Sequence, residues 1–347
     1  MTTPPPSGIS RVDPASFSWD SPSGVAAGVR RVVAEASAAD SRSSLNESTL
    51  LSLRNAGLSS SSLWTAGDDD RVVGFALAAP DEGPVEGPDV CRDEGHCVGR
   101  DQGSVEGRPQ VVVADLVVEP SSRGRGIGRA LADAAMAAFP RARFSAWSHG
   151  NHPAAAALAP ALGFDRVRDL WVMRRSMGDQ LPPVNVPATT VVRTFDPERD
   201  TEAFLDLNAE AFAHHPEQGE MTRADLDQRM AEPWFDPAGF FLAERAPSPS
   251  GAGSQGRPDL LGFHWTKVHG GDPAHGEVYV VGVSPAAQGL GLGKVLTLVG
   301  LHHLRGLDLP EVILYVESDN APAVAVYARL GFGHADADTD VMYSRIP

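Results

Sequence analysis

The chain of 347 residues is poor in cysteine, in cationic charge and in long apolar runs, and each shortage removes a class of function. Its two cysteines, Cys91 and Cys97, flank His96 in a polar stretch. Two thiols do not staple a protein of this size, and one histidine between them falls short of a metal-ligand set. The expectation is therefore no disulfide framework and no metal. Against 45 Asp and Glu stand only 29 Lys and Arg, a net charge of −16 that repels nucleic acid and anionic lipid alike. No apolar run approaches the roughly 20 residues that cross a bilayer. The opening Met-Thr-Thr-Pro-Pro-Pro lacks the basic and apolar regions of a secretory leader. These absences predict a cytoplasmic protein with neither nucleic acid nor membrane as partner. An anionic cofactor stays open, because a local glycine-rich turn overrides net charge.

What is present is a repeat. The stretch VVVADLVVEPSSRGRGIGR runs from Val111 to Arg129, and EVYVVGVSPAAQGLGLGK from Glu277 to Lys294. Each reads as an apolar strand, a proline (Pro120, Pro285) and a glycine-rich turn opening a helix. Each is followed by Leu-Gly-Phe, at 162–164 and 330–332. Val118 and Val283 are 165 positions apart and Leu162 and Leu330 are 168, so two markers recur in order at nearly one spacing. The chain is a duplicated domain. A hydrophobic content of 42% is enough for each copy to bury its own core.

Residues 1–23, rich in Pro, Ser and Gly, read as a mobile segment. The first copy spans 24–175. It has helical spacing over Ala26–Ala39 and over Asn46–Leu58, with Asn46 as cap, and a hairpin about Gly67–Asp70. Residues 80–110 form a polar insertion. Val111–Val118 is a β-branched strand expected to be buried on both faces. Helix Gly128–Phe139, strand Arg143–Ser148, helix Pro153–Leu162 and strand Leu170–Arg174 follow. A proline-rich linker covers 176–190. The second copy spans 191–347. It runs from strand Val191–Phe195 through helices Asp200–Ala213 and Met221–Glu232 and strands Gly239–Arg245 and Leu260–Val268 to the signature strand Glu277–Val283. Helix Gly293–Gly306, strand Glu311–Val316 and helix Ala321–Leu330 complete it, and 246–258 is a second insertion. Strands and helices mix about one sheet in each half, so the class is α/β (α+β).

The turn carries the chemistry. Glycines adopt positive φ and let backbone approach a ligand, while the helix that follows aims free N–H groups and its positive dipole end at the same place. Together these make a pyrophosphate site. A dinucleotide-binding turn is the nearest competitor, but it needs an acidic residue ending the next strand, and Glu311 opens its strand instead.

The turn resembles that of the GNAT (GCN5-related) N-acetyltransferase family, Gln/Arg-x-x-Gly-x-Gly/Ala, in both halves. The stretches Ala213–Gly219, Phe263–Val268, Glu277–Val283 and Leu314–Asn320 further resemble the mycothiol synthase family of tandem GNAT proteins, as does Leu45-Asn-Glu-Ser48 in the first half. That resemblance implies two tandem GNAT domains, each a mixed, splayed sheet flanked by helices, with acetyl-CoA as co-substrate. It implies acetylation of the cysteinyl amine of cysteinyl-glucosaminyl-inositol.

By the same resemblance the backbone of Val281, Gly282 and Val283 holds the pantetheine arm. Gln288, Gly289, Leu290, Gly291, Leu292, Gly293 and Lys294 hold the pyrophosphate. Asn320, Ala321, Pro322, Ala323, Val324 and Ala325 line the thiol end. Leu116, Val117, Val118, Gly124, Arg125, Gly126, Ile127, Gly128 and Arg129 match in the first half, where Arg123 also stays in the turn. Glu277 matches the general base, Tyr327 the general acid, and the Val283 N–H a stabiliser of the oxyanion. Substrate contacts fall on Glu47, Glu217, Lys267, Glu277 and Tyr315.

Taken singly, these residues have plainer readings. Glu277 would be an exposed strand-end acid, Tyr327 a core tyrosine, Lys267 a strand-edge charge and Glu217 a loop acid. Only their joint match lifts them. His214-His215 and His302-His303 are adjacent pairs that cannot face one site on a helix, and read as structural. Aligning Pro120 on Pro285 sets Val112 against Glu277, and aligning Leu162 on Leu330 sets Ala159 against Tyr327. The first half is therefore expected to bind acyl-CoA at most, and the second to do the chemistry, in a monomer. Two other readings stay open: a GNAT enzyme for another amine, such as a peptide N-terminus or an aminoglycoside, and an acyl-CoA-sensing module without turnover.

Overall fold

The computed structural model describes residues 8–68, 71–81, 110–213, 216–247, 258–271 and 273–347. Cys91, His96, Cys97 and the His214-His215 pair lie outside them. In chain order come β1 (Ile9–Arg11), α1 (Gly24–Asp40), α2 (Glu47–Asn55), β2 (Ser62–Asp68), β3 (Arg71–Asp81), β4 (Val111–Val118), α3 (Ile127–Ala138), β5 (Arg143–Ser148), α4 (Pro153–Ala161) and β6 (Asp165–Ser176). There follow β7 (Thr190–Thr194), α5 (Pro197–Ala211), α6 (Pro216–Gly219), α7 (Arg223–Met230), β8 (Phe240–Arg245), β9 (Leu260–His269), β10 (His275–Val283), α8 (Leu292–Gly306), β11 (Glu311–Glu317), α9 (Ala321–Arg329) and β12 (Gly333–Arg345). Among the described residues no helix is long and apolar enough to cross a membrane.

Two compact units form, one of residues 1–169 with 336–347, the other of 170–335. This differs from the linear division at 175 and 191, because the last strand of each copy leaves its own half. Val341–Arg345 of β12 pair with Ser148–Phe144 of β5, and Val341 and Tyr343 are buried in the first unit's core. Leu170–Ser176 of β6 pair with Glu317–Glu311 of β11, and Met173 joins the second unit's core. The Arg175 guanidinium seals that fit by donating to the Leu330 carbonyl at 2.7 Å. Both strands are extended and half apolar, so pattern alone does not choose the partner.

The first unit's strands run β1-β2-β3-β4-β5-β12 and the second's β6-β11-β10-β9-β8-β7. All pairs are antiparallel except β4 with β5 and β10 with β11. The expected mobile segment 1–23 is corrected from Ile9 onward. β1 pairs with β2, and Val12, Phe17 and Trp19 are buried against α1 and β3. Three apolar anchors outweigh a composition that averages to disorder. The linker is likewise anchored, with Met177 and Leu181 in the second unit's core.

Candidate functional site

In the second unit β10 and β11 pair only over Gly276–Val278 with Val312–Leu314, although β10 continues to Val283 and β11 to Glu317. Beyond Val278 the strands part. The first unit repeats this: β4 and β5 pair over Val111–Val113 with Arg143–Ser145, while β4 runs on to Val118. Leu116 is exposed at this opening, so the expectation that β4 is covered on both faces holds only at its start.

Each opening is lined by backbone. The Ser284 N–H donates to the Leu261 carbonyl at 3.0 Å. Backbone groups alternate sides along an antiparallel strand, so those of Val283 and Val281 face away from β9 and into the gap. The Glu119 N–H donates to Val73 at 2.9 Å, which turns Val118 and Leu116 the same way in the first unit.

The strand then leads into its turn. Gly289 and Gly291 sit at φ +83° and +72°, Gly124 and Gly126 at +75° and +81°, a region that only glycine enters freely. Added Cβ atoms there would meet nothing within 4 Å, so what requires glycine is the backbone conformation. Gly291 caps α8 and Gly126 caps α3 without side-chain bonds, leaving first-turn N–H groups directed at the turn. Gln288 and Lys294 are exposed beside it. Arg123 of the first turn grips Asp40 with two bonds of 2.7 Å. Those bonds lower the Asp40 pKa against the opposing effect of burial.

Glu277 is 5% exposed, not the surface acid its sequence position would give alone. It stands directly opposite Lys267 on β9 and beside Ile313 on β11, and Tyr315 lies two residues beyond Ile313. Three of the sequence-derived substrate residues therefore project from one face of the sheet. That face also carries the aromatic cluster of Phe204, Phe240, Phe263 and Trp265, with Trp234 and Tyr279 packed against it. The chain has only two lysines, Lys267 and Lys294. The buried Lys267 ammonium lies 4.4 Å from the Trp234 ring centre and 5.0 Å from that of Tyr279. Arg229 Nε donates to the Tyr279 hydroxyl at 3.1 Å. Glu47 opens α2 in the first unit, where Asn46 caps the helix. The Glu217 side chain lies outside the described residues.

Sequence reasoning missed His269. Its Nε2 lies 2.5 Å from Glu277 Oε2, and its ring stacks on His275 at 4.6 Å. Burial, then the neighbouring His269, pushes the His275 pKa down. The available signal was parity: His269 is two residues past Lys267 on the same face of β9.

Tyr327 approaches from the other side. It packs against the core cluster that holds Leu298, Leu301 and Leu314, its ring 6.0 Å from that of Phe332, and burial pushes its hydroxyl up to about 12.

The Glu277 position in the first unit needs correction. The β10–β11 ladder sets Glu277 on Ile313, and the β4–β5 ladder sets Val113 on Ser145. Ser145 and Ile313 are equivalent at the spacing of 168 that relates Leu162 to Leu330. Val113, not Val112, thus matches Glu277. A bulge between Val278 and Val280 adds one residue to β10, while the β3–β4 ladder has none. Asp115 lies two residues further along β4 than Val113. Thr49 Oγ1 donates to it at 3.1 Å, and burial raises its carboxyl pKa. The His302-His303 pair is structural: His302 Nε2 meets the Pro182 carbonyl at 2.9 Å and His303 packs on Phe241. Among the described residues no group of three or more His, Cys, Asp or Glu could hold a metal.

The acetyltransferase (GNAT) family model matches residues 32–164 and again 202–332. A mycothiol acetyltransferase of Paenarthrobacter aurescens is 46% identical over 91% of this chain and 90% of its own length. One from Nocardioides sp. is 56% identical over 68% of this chain and 82% of its own. Among solved structures, a tandem GNAT protein from the clavulanic acid biosynthesis pathway superposes with a TM-score of 0.67 at 21% identity, covering 98% of both chains. That likeness speaks for the fold alone. The two splayed sheets, the two turns and these relatives together make the chain an acyltransferase that belongs to the GNAT family and, within it, to the mycothiol acetyltransferases.

Proposed function

We propose that the second unit transfers acetyl from acetyl-CoA to the cysteinyl amine of cysteinyl-glucosaminyl-inositol by direct attack, with Glu277 as base. The observation that carries this reading is a buried carboxylate beside the strand opening, held by His269 at 2.5 Å. An amine is protonated near neutral pH. Glu277 takes that proton, and the freed lone pair attacks the thioester carbon. The carbonyl oxygen becomes an oxyanion, which the gap-facing Val283 N–H stabilises. Collapse breaks the carbon–sulfur bond, and the nitrogen releases its second proton.

Tyr327 lies on the opposite sheet face, where the sulfur departs. A hydroxyl held at about 12 stays protonated, which makes it a donor to the leaving sulfur. Complete transfer to a thiolate of ordinary pKa near 8.5 is uphill, so its main contribution is a hydrogen bond, with the released proton passing on to CoA. Lys267, Tyr315 and Glu217 bind the acceptor's polar groups. The buried Trp234 indole N–H, without a partner among the described residues, suits a sugar hydroxyl.

The first unit has Val113 and Ala159 at the two proton-transfer positions. Its Asp115, two residues further along β4 than Val113, accepts a hydrogen bond from Thr49 Oγ1, and burial raises its carboxyl pKa. The unit's role is to bind the cofactor. The test follows CoA release from acetyl-CoA and cysteinyl-glucosaminyl-inositol. Glu277→Gln should lower kcat by roughly 10²-fold or more. Wild-type turnover with an unaffected variant would remove Glu277 from the mechanism. No wild-type turnover would remove the acceptor.

A further inference from the structure

In the first unit a cavity of about 560 Å³ runs from the turn of Gly124 and Gly126 in beneath α3 and α4. Ala76, Ala114, Ala135, Phe144 and Ala159 bound its inner end. Cross-strand register shows why this space is open. Ala76 pairs with Leu116 as His264 pairs with Val281, and Leu116 and Val281 are equivalent at the 165-residue spacing of the two turns. Ala76 therefore stands where the second unit has the wholly buried His264 ring. Ala159 stands where it has Tyr327. Two methyl groups stand where the second unit has two rings.

We propose that the first unit binds an acyl-CoA thioester with a saturated chain longer than acetyl, and that the chain fills this chamber. The inference rests on the first unit being a cofactor site. The chamber is continuous with that site: the backbone of Leu116 and Val118 faces the opening through which the thioester would enter. Most of its wall is apolar; the polar groups that line it include Asp115, Ser148, His149 and Tyr343, and Asp40, Arg123 and His152 beside the turn, with Arg123 bound to Asp40 at 2.7 Å. A saturated chain matches the alanine and phenylalanine stretch of that wall. An acetyl group stops short of it.

The test titrates CoA, acetyl-CoA, butyryl-CoA and hexanoyl-CoA into the full chain carrying Gly291→Glu, so that the second turn repels phosphate and only the first site reports. Affinity should rise about fourfold per methylene between acetyl and hexanoyl. Ala76→Leu in the same chain should abolish the rise. One of the two binding steps of the wild-type chain should show the same series, independent of either variant's folding. Equal affinity for acetyl-CoA and hexanoyl-CoA, or a rise that survives Ala76→Leu, overturns the chain-length inference. Failure of CoA itself to bind the first site overturns the cofactor reading on which it rests.

Discussion

Replacing Gly300 with alanine should destabilise the second unit, although an alanine in a helix ordinarily stabilises by about 0.5–1 kcal/mol. The reason is His264. Its ring is wholly buried beneath α8, and Nδ1 donates to the Leu296 carbonyl at 2.7 Å. A Cβ on Gly300 would fall 2.0 Å from His264 Cε1 and 2.3 Å from Nδ1. Neither a helix backbone nor a ring inside a sheet moves easily aside. Overpacking of this kind costs roughly 1–3 kcal/mol, and loss of the Nδ1 bond about 1 more. The helix gain offsets only part of this, leaving a net loss of about 1–3 kcal/mol. For a unit of this size that is a fall of roughly 3–10 °C in Tm, measurable by calorimetry. The first unit supplies the compensating change, because Ala76 and Ala135 occupy the places of His264 and Gly300 there. His264→Ala with Gly300→Ala should therefore show a favourable coupling of about 1–3 kcal/mol in a double-mutant cycle. A Gly300→Ala chain that melts above wild type, or a cycle that is additive, would refute the contact.

The same histidine sets a pH dependence. Burial holds His264 at about 4 against an ordinary 6.5, so the fold keeps its neutral form while the unfolded chain takes up a proton first. Its stabilisation is complete above pH 6.5 and falls as pH drops toward 4, by roughly 3 kcal/mol. Urea midpoints should follow that slope, and His264→Ala should flatten it. In the first unit Glu119 is held at about 2: burial opposes ionisation, but Ser122, Arg31 and Arg71 outweigh it. Its stabilisation is present above pH 4.5 and lost as pH falls toward 2, so loss of structure reported from the first unit should begin at the lower pH. His269→Asn should lower kcat about tenfold while leaving the KM for acetyl-CoA unchanged, because His269 orients Glu277 without reaching the cofactor. An unchanged kcat would make the 2.5 Å contact incidental.

What could be read from the chain and what could not divide along one physical line. The turns were legible because positive φ at Gly124, Gly126, Gly289 and Gly291 is a local requirement that only a few residue types meet. Resemblance named Lys267, Glu277 and Tyr315 together, and the ladders set them on one face. The features that stayed hidden are all choices of partner. Strand β6 carries apolar residues that would fit either sheet, and its exchange with β12 is decided by contacts such as Arg175 to Leu330. The bulge after Val278 leaves no mark in its own sequence, yet it moves the residue equivalent to Glu277 from Val112 to Val113. His269 at a strand end looks like any surface histidine until β10 sets Glu277 within 2.5 Å of it. The chamber of the first unit belongs here in part: Ala159 was already set against Tyr327 by the sequence repeat, but Ala76 is an unremarkable alanine until register sets it against His264. A duplicated fold thus offers an internal reference: once the two ladders are superposed, each residue has a counterpart in the other copy, and differences between counterparts separate what the scaffold requires from what each site was built to hold.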